Sequence, residues 1–175
     1  VTIQFSYNWH NQNSYYGTTP FMAKQHVGFV QMFWDKTIFK KHALLLGAAF
    51  RFTYYDDNTL ASTANSGQSN NPLTTPLPGI FIQEEWSLHS MHKLLLGYRF
   101  DYDVTHKAIH SPRIAYKFSP SKKHTFRLSF GTGFRVVNLF TEDHAALTGS
   151  RNVVIAEKLN PERSYNGNLN YVLRI

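Results

Sequence analysis

The residues of this chain that could do chemistry are histidines and carboxylates grouped in two polar stretches. Glu142, Asp143 and His144 are consecutive, and His106 and His110 lie close together in the other stretch. Carboxylate oxygens and imidazole nitrogens are groups that bind Zn²⁺ and similar ions. Protein metal sites have defined ligand spacings, and neither stretch has one. The sequence therefore predicts no metal site, and these residues are candidates for contacting a ligand from loops.

The remaining reactive residues form no catalytic constellation. Glu84 and Glu85 are adjacent, so a strand points them to opposite faces and they cannot act together on one substrate. The run Gly131-Thr132-Gly133 lacks the third glycine and the following helix of a phosphate-binding loop. The absence of cysteine excludes thiol nucleophiles, disulfides and thiolate metal sites. We therefore expect no enzymatic activity and no cofactor.

Composition excludes two further classes of protein. The 175 residues carry a net charge of +7, but most arginines are single residues in strand patterns, and short predicted turns contain Lys36, Lys40, Lys41, Lys122 and Lys123. A nucleic-acid-binding protein concentrates its basic residues on one helix or in one stripe, so nucleic acid is not predicted as a partner. No run approaches the roughly 18 apolar residues that a transmembrane helix needs. Aromatic residues make up 15% of the chain, which favours strands.

The clearest structural pattern is a strict alternation of apolar and polar residues in 93–134. Because successive side chains of a strand point to opposite faces, each strand here has one apolar face and one charged or small face. In the strand from Lys93, the apolar set is Leu94, Leu96, Tyr98, Phe100 and Tyr102, and the opposite set is Leu95, Gly97, Arg99, Asp101 and Asp103. The strand from Thr125 repeats the pattern, with Phe126, Leu128, Phe130, Thr132 and Phe134 on the apolar side.

The whole chain is predicted to be all-β, an antiparallel up-and-down meander of about eight strands. The predicted strands cover about 1–10, 24–35, 42–55, 79–89, 93–103, 112–118, 124–134 and 163–175. Short turns near 37–41, 90–92 and 119–123 alternate with longer links over 11–20, 56–78, 103–111 and 135–162. We expect Pro112 to start its strand or to lie at an edge, because proline cannot donate to a ladder. Short turns at one end and long loops at the other are typical of outer-membrane barrels.

Two other architectures share these patterns. A self-contained small outer-membrane barrel with an adhesive or structural role also needs only about eight strands. A soluble β-sandwich binding module would bury the apolar faces against each other instead of exposing them to lipid. A closed ladder between the first and last strands would indicate the small barrel, and two packed sheets would indicate the sandwich.

Several segments after residue 92 carry a family resemblance. They are Gly97-Tyr-Arg-Phe-Asp-Tyr102, Ser111-Pro-Arg113, Arg127-Leu-Ser-Phe-Gly-Thr-Gly-Phe-Arg135, Asn138 within VVNLFTED, and Leu159-Asn-Pro-Glu-Arg-Ser-Tyr-Asn166. About 80 residues resemble the barrel of TonB-dependent outer-membrane receptors of the kind found in Bacteroidetes-type organisms. The first 90 residues agree in pattern only.

The resemblance implies a large transmembrane barrel of about 22 strands, of which residues 1–175 are a partial segment without the plug domain and C-terminal strands. It implies a location in the outer membrane and uptake of a scarce nutrient such as an iron–siderophore complex, haem or cobalamin. The implied partners are outer-membrane lipid, the receptor's own plug domain and the periplasmic TonB protein. An excised segment is expected to self-associate through its open edges.

The alternation also assigns the charged residues to faces. Charge on the lipid side costs about 2–4 kcal/mol near the bilayer midplane, so we expect the charged residues of the strands to face the lumen. There they either contact the plug or the substrate or form a solvated wall of cross-strand pairs. These lumen candidates are Arg51, Arg99, Asp101, Asp103, Arg113, Lys117 and Arg127. The candidates for ligand contact from loops are His106, His110, Arg135, Glu142, Asp143, His144 and Arg151.

Overall fold

The computed structural model describes residues 1–57, 72–135 and 160–174 as one eight-stranded sheet. The strands are β1 (Thr2–Tyr16), β2 (Thr19–Ile38), β3 (His42–Asp57), β4 (Leu73–His89), β5 (His92–Asp103), β6 (Lys107–Phe118), β7 (His124–Arg135) and β8 (Glu162–Leu173). Among these residues there is no helix with the length and apolar character to cross a membrane.

The strands follow one another in space in the order in which they occur in the chain. Every neighbouring pair is antiparallel, so the predicted all-β meander is confirmed. The sheet runs from β1 at one edge to β8 at the other, and the described residues contain no ladder that joins these two strands. This open single sheet contradicts both a self-contained small barrel and a sandwich of two packed sheets.

The register places apolar residues together on one side of the sheet, which we call the outer face. Leu96 lies opposite Ile114, which in turn lies opposite Phe130, and this row continues the predicted apolar set across three strands. Leu96 and Leu128 are 47% and 57% exposed, respectively. The predicted sharing of a face by these strands is therefore confirmed, and the face is uncovered as a lipid-facing surface would be.

The opposite side, which we call the inner face, carries the charged residues of the strands, together with apolar residues of β2 such as Val27, Phe29 and Phe33. All seven lumen candidates fall on it by strand parity, since Arg51, Arg99 and Arg113 share the side opposite the apolar set. On β1 the inner positions are Thr2, Gln4, Ser6, Asn8, His10, Gln12 and Ser14, all polar. The membrane barrel pattern of apolar residues outside and polar residues inside thus extends to the first strand.

The links between strands differ from the prediction at one end of the sheet. The turns at 39–41, 90–91 and 119–123 lie as expected, and we call this the turn end. At the other end, the loop end, the predicted links 11–20 and 103–111 were wrong, because the strands continue to short turns at 17–18 and 104–106. Gly17 adopts the left-handed φ of 64° that such a tight turn requires. Only the links after β3 and β7 are long, and β4 already begins at Leu73.

The strands nearest the N-terminus extend beyond the apolar band at the loop end. A tilted strand needs about 9–11 residues to span a bilayer, whereas β2 has 20. On the outer face the apolar band ends near Trp9, His26 and Tyr54, and beyond it lie Asn11, Asn13, Lys24 and Asp56. The polar residues that were predicted to form the first link therefore belong to strands that continue beyond the apolar band as a paired sheet.

Prolines mark the positions where ladders stop. Of the two places predicted for Pro112, a strand start or an edge, the strand start is wrong, since β6 begins at Lys107 and pairs with β5 along its length. The ladder between β6 and β7, however, ends at Arg113 opposite Gly131, next to Pro112. Likewise, Pro76 and Pro78 pair with β3, while the ladder from β4 to β5 begins only at Gly79. A residue without an N–H group fits where one neighbour is absent.

Candidate functional site: the charged inner face

The best-ordered charged group of the inner face is the pair Arg99 and Asp101 on β5. The guanidinium donates twice to the carboxylate, from Nε to Oδ2 at 2.8 Å and from a terminal nitrogen to Oδ1 at 2.7 Å. Asp101 is fully buried, while Arg99 is 36% exposed. Such a two-point geometry fixes both side chains. Arg99 also lies 5.9 Å from the centre of the Phe81 ring, a cation–π distance that holds it over β4.

Glycines on the neighbouring strands make room for these side chains. A Cβ atom at Gly79 would lie 2.2 Å from Oδ1 of Asp101, and one at Gly97 would lie 2.8 Å from Cγ and Nε of Arg113. Each large side chain therefore lies directly against the backbone of the preceding strand. Close approach of this kind is a reason for glycine within a strand, and it explains how Asp101 is fully buried on a single sheet.

Four further cations of the inner face have no carboxylate partner among the residues that the structure describes, and Arg51 on β3 is one of them. Arg113 lines a groove of about 430 Å³ together with Arg99 and Ser111. Lys117 and Arg127 line a second groove of about 490 Å³ nearer the turn end, beside the ion pair of Lys93 with Glu85. The inner face thus offers two adjoining grooves with free positive charge.

Asp103 lies on the inner face by strand parity, as expected of a lumen candidate, and its carboxylate caps a turn there. It is 2% exposed and accepts hydrogen bonds from the backbone N–H groups of Thr105 and His106, both at 2.8 Å. This is the local capping of a turn by an aspartate. The turn closes at Lys107, whose φ of 64° is left-handed. Asp103 therefore shapes the turn between β5 and β6.

Replacing Asp103 with alanine is expected to destabilise the intact protein by about 1–3 kcal/mol, because two backbone donors lose their acceptor. Asparagine keeps one acceptor oxygen in the same place and should restore most of the loss. Denaturant unfolding of the two variants measures the difference. Equal loss in both variants would show that the carboxylate charge, and not the turn geometry, is what matters.

The loop candidates divide into four groups. His106 lies in the turn 104–106, as expected, and borders a groove with Ile109 and Phe134. His110 was wrongly placed in a link, because it belongs to β6 and faces outward beside Tyr98. Arg135 is the last residue of β7 and pairs with Glu162 of β8 at 3.0 Å. The candidates Glu142, Asp143, His144 and Arg151 lie outside the described residues.

The inner face also holds a small buried group at the loop end. Phe21, Ala23 and Tyr55 pack together there, beyond the apolar band of the outer face. Burial, together with the nearby Asp57 carboxylate, raises the pKa of the Tyr55 phenol, so this tyrosine stays neutral at physiological pH. Among the described residues, no group of three or more metal-ligating side chains is present.

Sequence reasoning missed the neighbours of the candidate residues. Phe81 and Ser111 line the first groove, and the pair of Lys93 with Glu85 borders the second. These contacts depend on the registers between strands, such as Phe81 opposite Arg99 and Glu85 opposite Leu95. Since β4 shows little alternation, no signal in the sequence alone fixes that register.

Comparison with known families assigns the chain. The family model for TonB dependent receptor-like β-barrels matches residues 1–174, nearly the whole chain. The chain belongs to the TonB-dependent receptor β-barrel family. Its members lie in the outer membrane, and in such barrels an apolar outward-facing band meets lipid.

The relatives include iron-regulated receptors. An iron-regulated outer membrane virulence protein of Vibrio cholerae is 28% identical over 145 residues, which are 77% of this chain and 22% of that protein. The chain therefore spans about a fifth of the length of this curated relative. The siderophore receptor PirA of Pseudomonas aeruginosa has a similar fold, with a TM-score of 0.65 at 13% identity over 99% of this chain and 36% of its own.

A second solved structure also resembles this chain in fold at low sequence identity. The ferric enterobactin receptor of Pseudomonas aeruginosa gives a TM-score of 0.56 at 12% identity, over 71% of this chain and 19% of that chain. At such identity the solved structures show the shared fold. The relatives named here come from Vibrio and Pseudomonas, so they do not support the expected likeness to receptors of Bacteroidetes-type organisms.

Proposed function

We propose that this chain is the barrel segment of an outer-membrane receptor that takes up an iron–siderophore complex. The match of the family model over residues 1–174 is the observation that carries the proposal. The printed names of the relatives, an iron-regulated protein and two siderophore receptors, favour iron among the nutrients that this family handles. In this proposal the receptor is a transporter and not an enzyme.

The charges of the inner face support a negatively charged cargo. Arg113, Lys117 and Arg127 are exposed or half-exposed cations along the two grooves, and none has a carboxylate partner in the described part of the chain. The opposing acids, Glu85 and Asp101, are already paired with Lys93 and Arg99. Beside the two grooves the cations are unpaired and the neighbouring acids are paired, so the grooves attract anions, including the carboxylates and phenolates by which many chelators hold ferric iron.

The receptor is expected to have two protein partners. A plug domain of the same receptor would contact the inner face, and the TonB protein would supply energy through a periplasmic segment. The turn end has short turns only, so we place it in the periplasm and the loop end outside the cell. Ligand capture is then expected at the loop end, from the links after β3 and β7.

Deleting residues 58–71 from the full-length receptor is expected to reduce uptake of its iron complex at least about tenfold, while the barrel still inserts. This deletion leaves the paired strands β3 and β4 intact, because they end at Asp57 and begin at Leu73. Loops outside the paired ladder carry binding residues and tolerate change. Uptake of radioactive iron by cells, normalised to receptor in the outer membrane, measures the effect.

A matched variant separates contact from length. Replacing 58–71 by a flexible Gly/Ser segment of equal length should reduce uptake as strongly as the deletion if side chains of this segment hold the ligand. Unchanged uptake in both variants, and in a receptor without residues 140–150, would contradict ligand capture by these two links. The plug or other strands would then hold the iron complex.

A further inference from the structure

Three histidines occupy equivalent positions on the outer face at the turn end. His42, His92 and His124 are the first residues of β3, β5 and β7, so each directly follows a turn. All three lie on the side of the apolar set, where the bilayer ends. Each ring stacks on an aromatic neighbour across the strand: His42 on Trp86 at 5.5 Å, His92 on Phe118 at 4.8 Å and His124 on Tyr171 at 6.0 Å between ring centroids. We call these three residues the histidine belt.

Cross-strand hydrogen bonds fix the orientation of the belt. Nδ1 of His92 lies 2.5 Å from the Tyr116 hydroxyl, and Nδ1 of His124 lies 2.7 Å from the Tyr171 hydroxyl. A phenol that donates to Nδ1 leaves the proton of a neutral imidazole on Nε2. In this tautomer the Nε2–H groups of His92 and His124 are the ones that can donate to another partner.

Lysines adjoin the belt at the turn end. Lys36 lies on the outer face of β2, while Lys40 and Lys41 are in one turn and Lys122 and Lys123 in another. The two basic turns are separated by four strands, or about 19 Å at the usual spacing. Among the described residues, Glu84 is the only carboxylate of the outer face at this end, and His42 already pairs with it at 2.5 Å. The surface is therefore strongly cationic.

We propose that the histidine belt and the lysines of the adjoining turns bind phosphodiester headgroups of anionic phospholipids in the periplasmic leaflet of the outer membrane. The inference rests on the membrane placement of the family and on the assignment of the turn end to the periplasm. The ammonium groups reach the phosphate from the water side, and the Nε2–H groups of His92 and His124 donate to phosphate or ester oxygens from the belt. Aromatic rings beneath them pack against the glycerol and upper acyl region.

The arrangement favours a lipid as the ligand because the cationic groups of the turns lie directly beside the aromatic rings of the outer face. A soluble anion would gain nothing from Trp86, Phe118 and Tyr171 under the belt, whereas a phospholipid contacts both kinds of surface at once. Each lysine close to an anionic bilayer strengthens binding about fivefold. Several lysines acting on one leaflet therefore select an anionic headgroup over a zwitterionic one.

Lipid binding to the full-length receptor tests the proposal. Native mass spectrometry in detergent counts bound dioleoyl phosphatidylglycerol and dioleoyl phosphatidylcholine over a titration. The wild-type receptor is expected to prefer phosphatidylglycerol. The variant with Lys40→Asn, Lys41→Ser, Lys122→Ser and Lys123→Ser is expected to bind phosphatidylglycerol at least about tenfold more weakly, with little change for phosphatidylcholine. Asparagine is chosen at position 40 because the φ there is 59°.

Two further sets of variants test whether the position of a cation and the histidine donors matter for lipid binding. Lys36→Ser and Lys24→Ser remove one cation each from the outer face of β2, at opposite ends of the apolar band, so only Lys36→Ser should weaken phosphatidylglycerol binding. His92→Phe with His124→Phe keeps the stacking and removes the Nε2–H donors, and it should weaken binding several-fold in a receptor that keeps its folded gel mobility. Equal affinity of the wild type for both lipids, undiminished binding by the lysine variant, or equal effects at positions 24 and 36 would overturn the proposal.

Discussion

Replacing Arg99 with methionine is expected to lower the free energy of unfolding of the intact receptor by about 3–5 kcal/mol. The substitution removes both hydrogen bonds to Asp101 and leaves a fully buried carboxylate without a counter-charge. Breaking a buried ion pair by removing one partner costs this much because the remaining charge stays desolvated. Denaturant unfolding in detergent, followed by tryptophan fluorescence, measures the change.

A second ion pair of the same strand supplies the control. Lys93→Met breaks the pair with Glu85, whose side chains are 42% and 38% exposed, so we expect a loss of less than about 1 kcal/mol. Asp101→Asn should fall between the two, since Arg99 is partly exposed and water can solvate it. If Arg99→Met and Lys93→Met lower the free energy of unfolding equally, the burial of Asp101 does not make its ion pair with Arg99 contribute more to stability.

Introducing a methyl group at Gly79 is also expected to destabilise the receptor. The free energy of unfolding should fall by about 1–3 kcal/mol, and the yield of folded barrel should decrease. The new Cβ in Gly79→Ala would lie 2.2 Å from Oδ1 of Asp101. That oxygen cannot move aside without breaking its hydrogen bond to Arg99 at 2.7 Å. The effect should therefore appear both in unfolding and in the fraction that keeps the folded mobility on unheated gels.

Gly28 provides a matched comparison because nothing lies within 4 Å of a Cβ built there. Gly28→Ala should be neutral or stabilise the receptor by a few tenths of a kcal/mol, since alanine restricts the unfolded chain more than glycine does. Combining Gly79→Ala with Asp101→Ala should recover part of the loss, as the clash then disappears. Additive losses in that double variant would contradict the packing explanation.

The sequence predicted the fold correctly where apolar and polar residues alternate strictly. The prediction was wrong where a polar residue can mark either the end of a strand or a strand that has passed beyond the apolar band. Residues 93–134 alternate cleanly, so β5 and β7 and the sharing of their outer faces followed from the sequence. Asn11 and Asn13 are polar because β1 has left the membrane there, and not because the strand has ended. Composition cannot distinguish these two causes, since pairing with β2 is a long-range property. The same ambiguity placed His110 in a link instead of on the outer face of β6.

For the site, the sequence predicted orientation but not contacts. Parity alone puts Arg99, Asp101 and Asp103 on the inner face. Their different roles depend on what lies beside them: Asp101 lies against Gly79, whereas Asp103 turns back to the N–H groups of Thr105 and His106. The register between strands and the geometry of the turn decide which contacts each carboxylate makes. An alternating sequence pattern gives no information about either.

Spin-label accessibility tests the central claim most directly, namely that the outer face meets lipid and the inner face meets water. Nitroxides are placed singly at Leu96 and Leu128 on the outer face and at Ser111 and Ser129 on the inner face of the full-length receptor in lipid bilayers. We expect Leu96 and Leu128 to be relaxed by oxygen and shielded from a polar nickel reagent, and Ser111 and Ser129 to show the reverse or to be shielded from both by a plug. Strong relaxation by the nickel reagent at Leu96 and Leu128 would contradict the membrane-facing assignment.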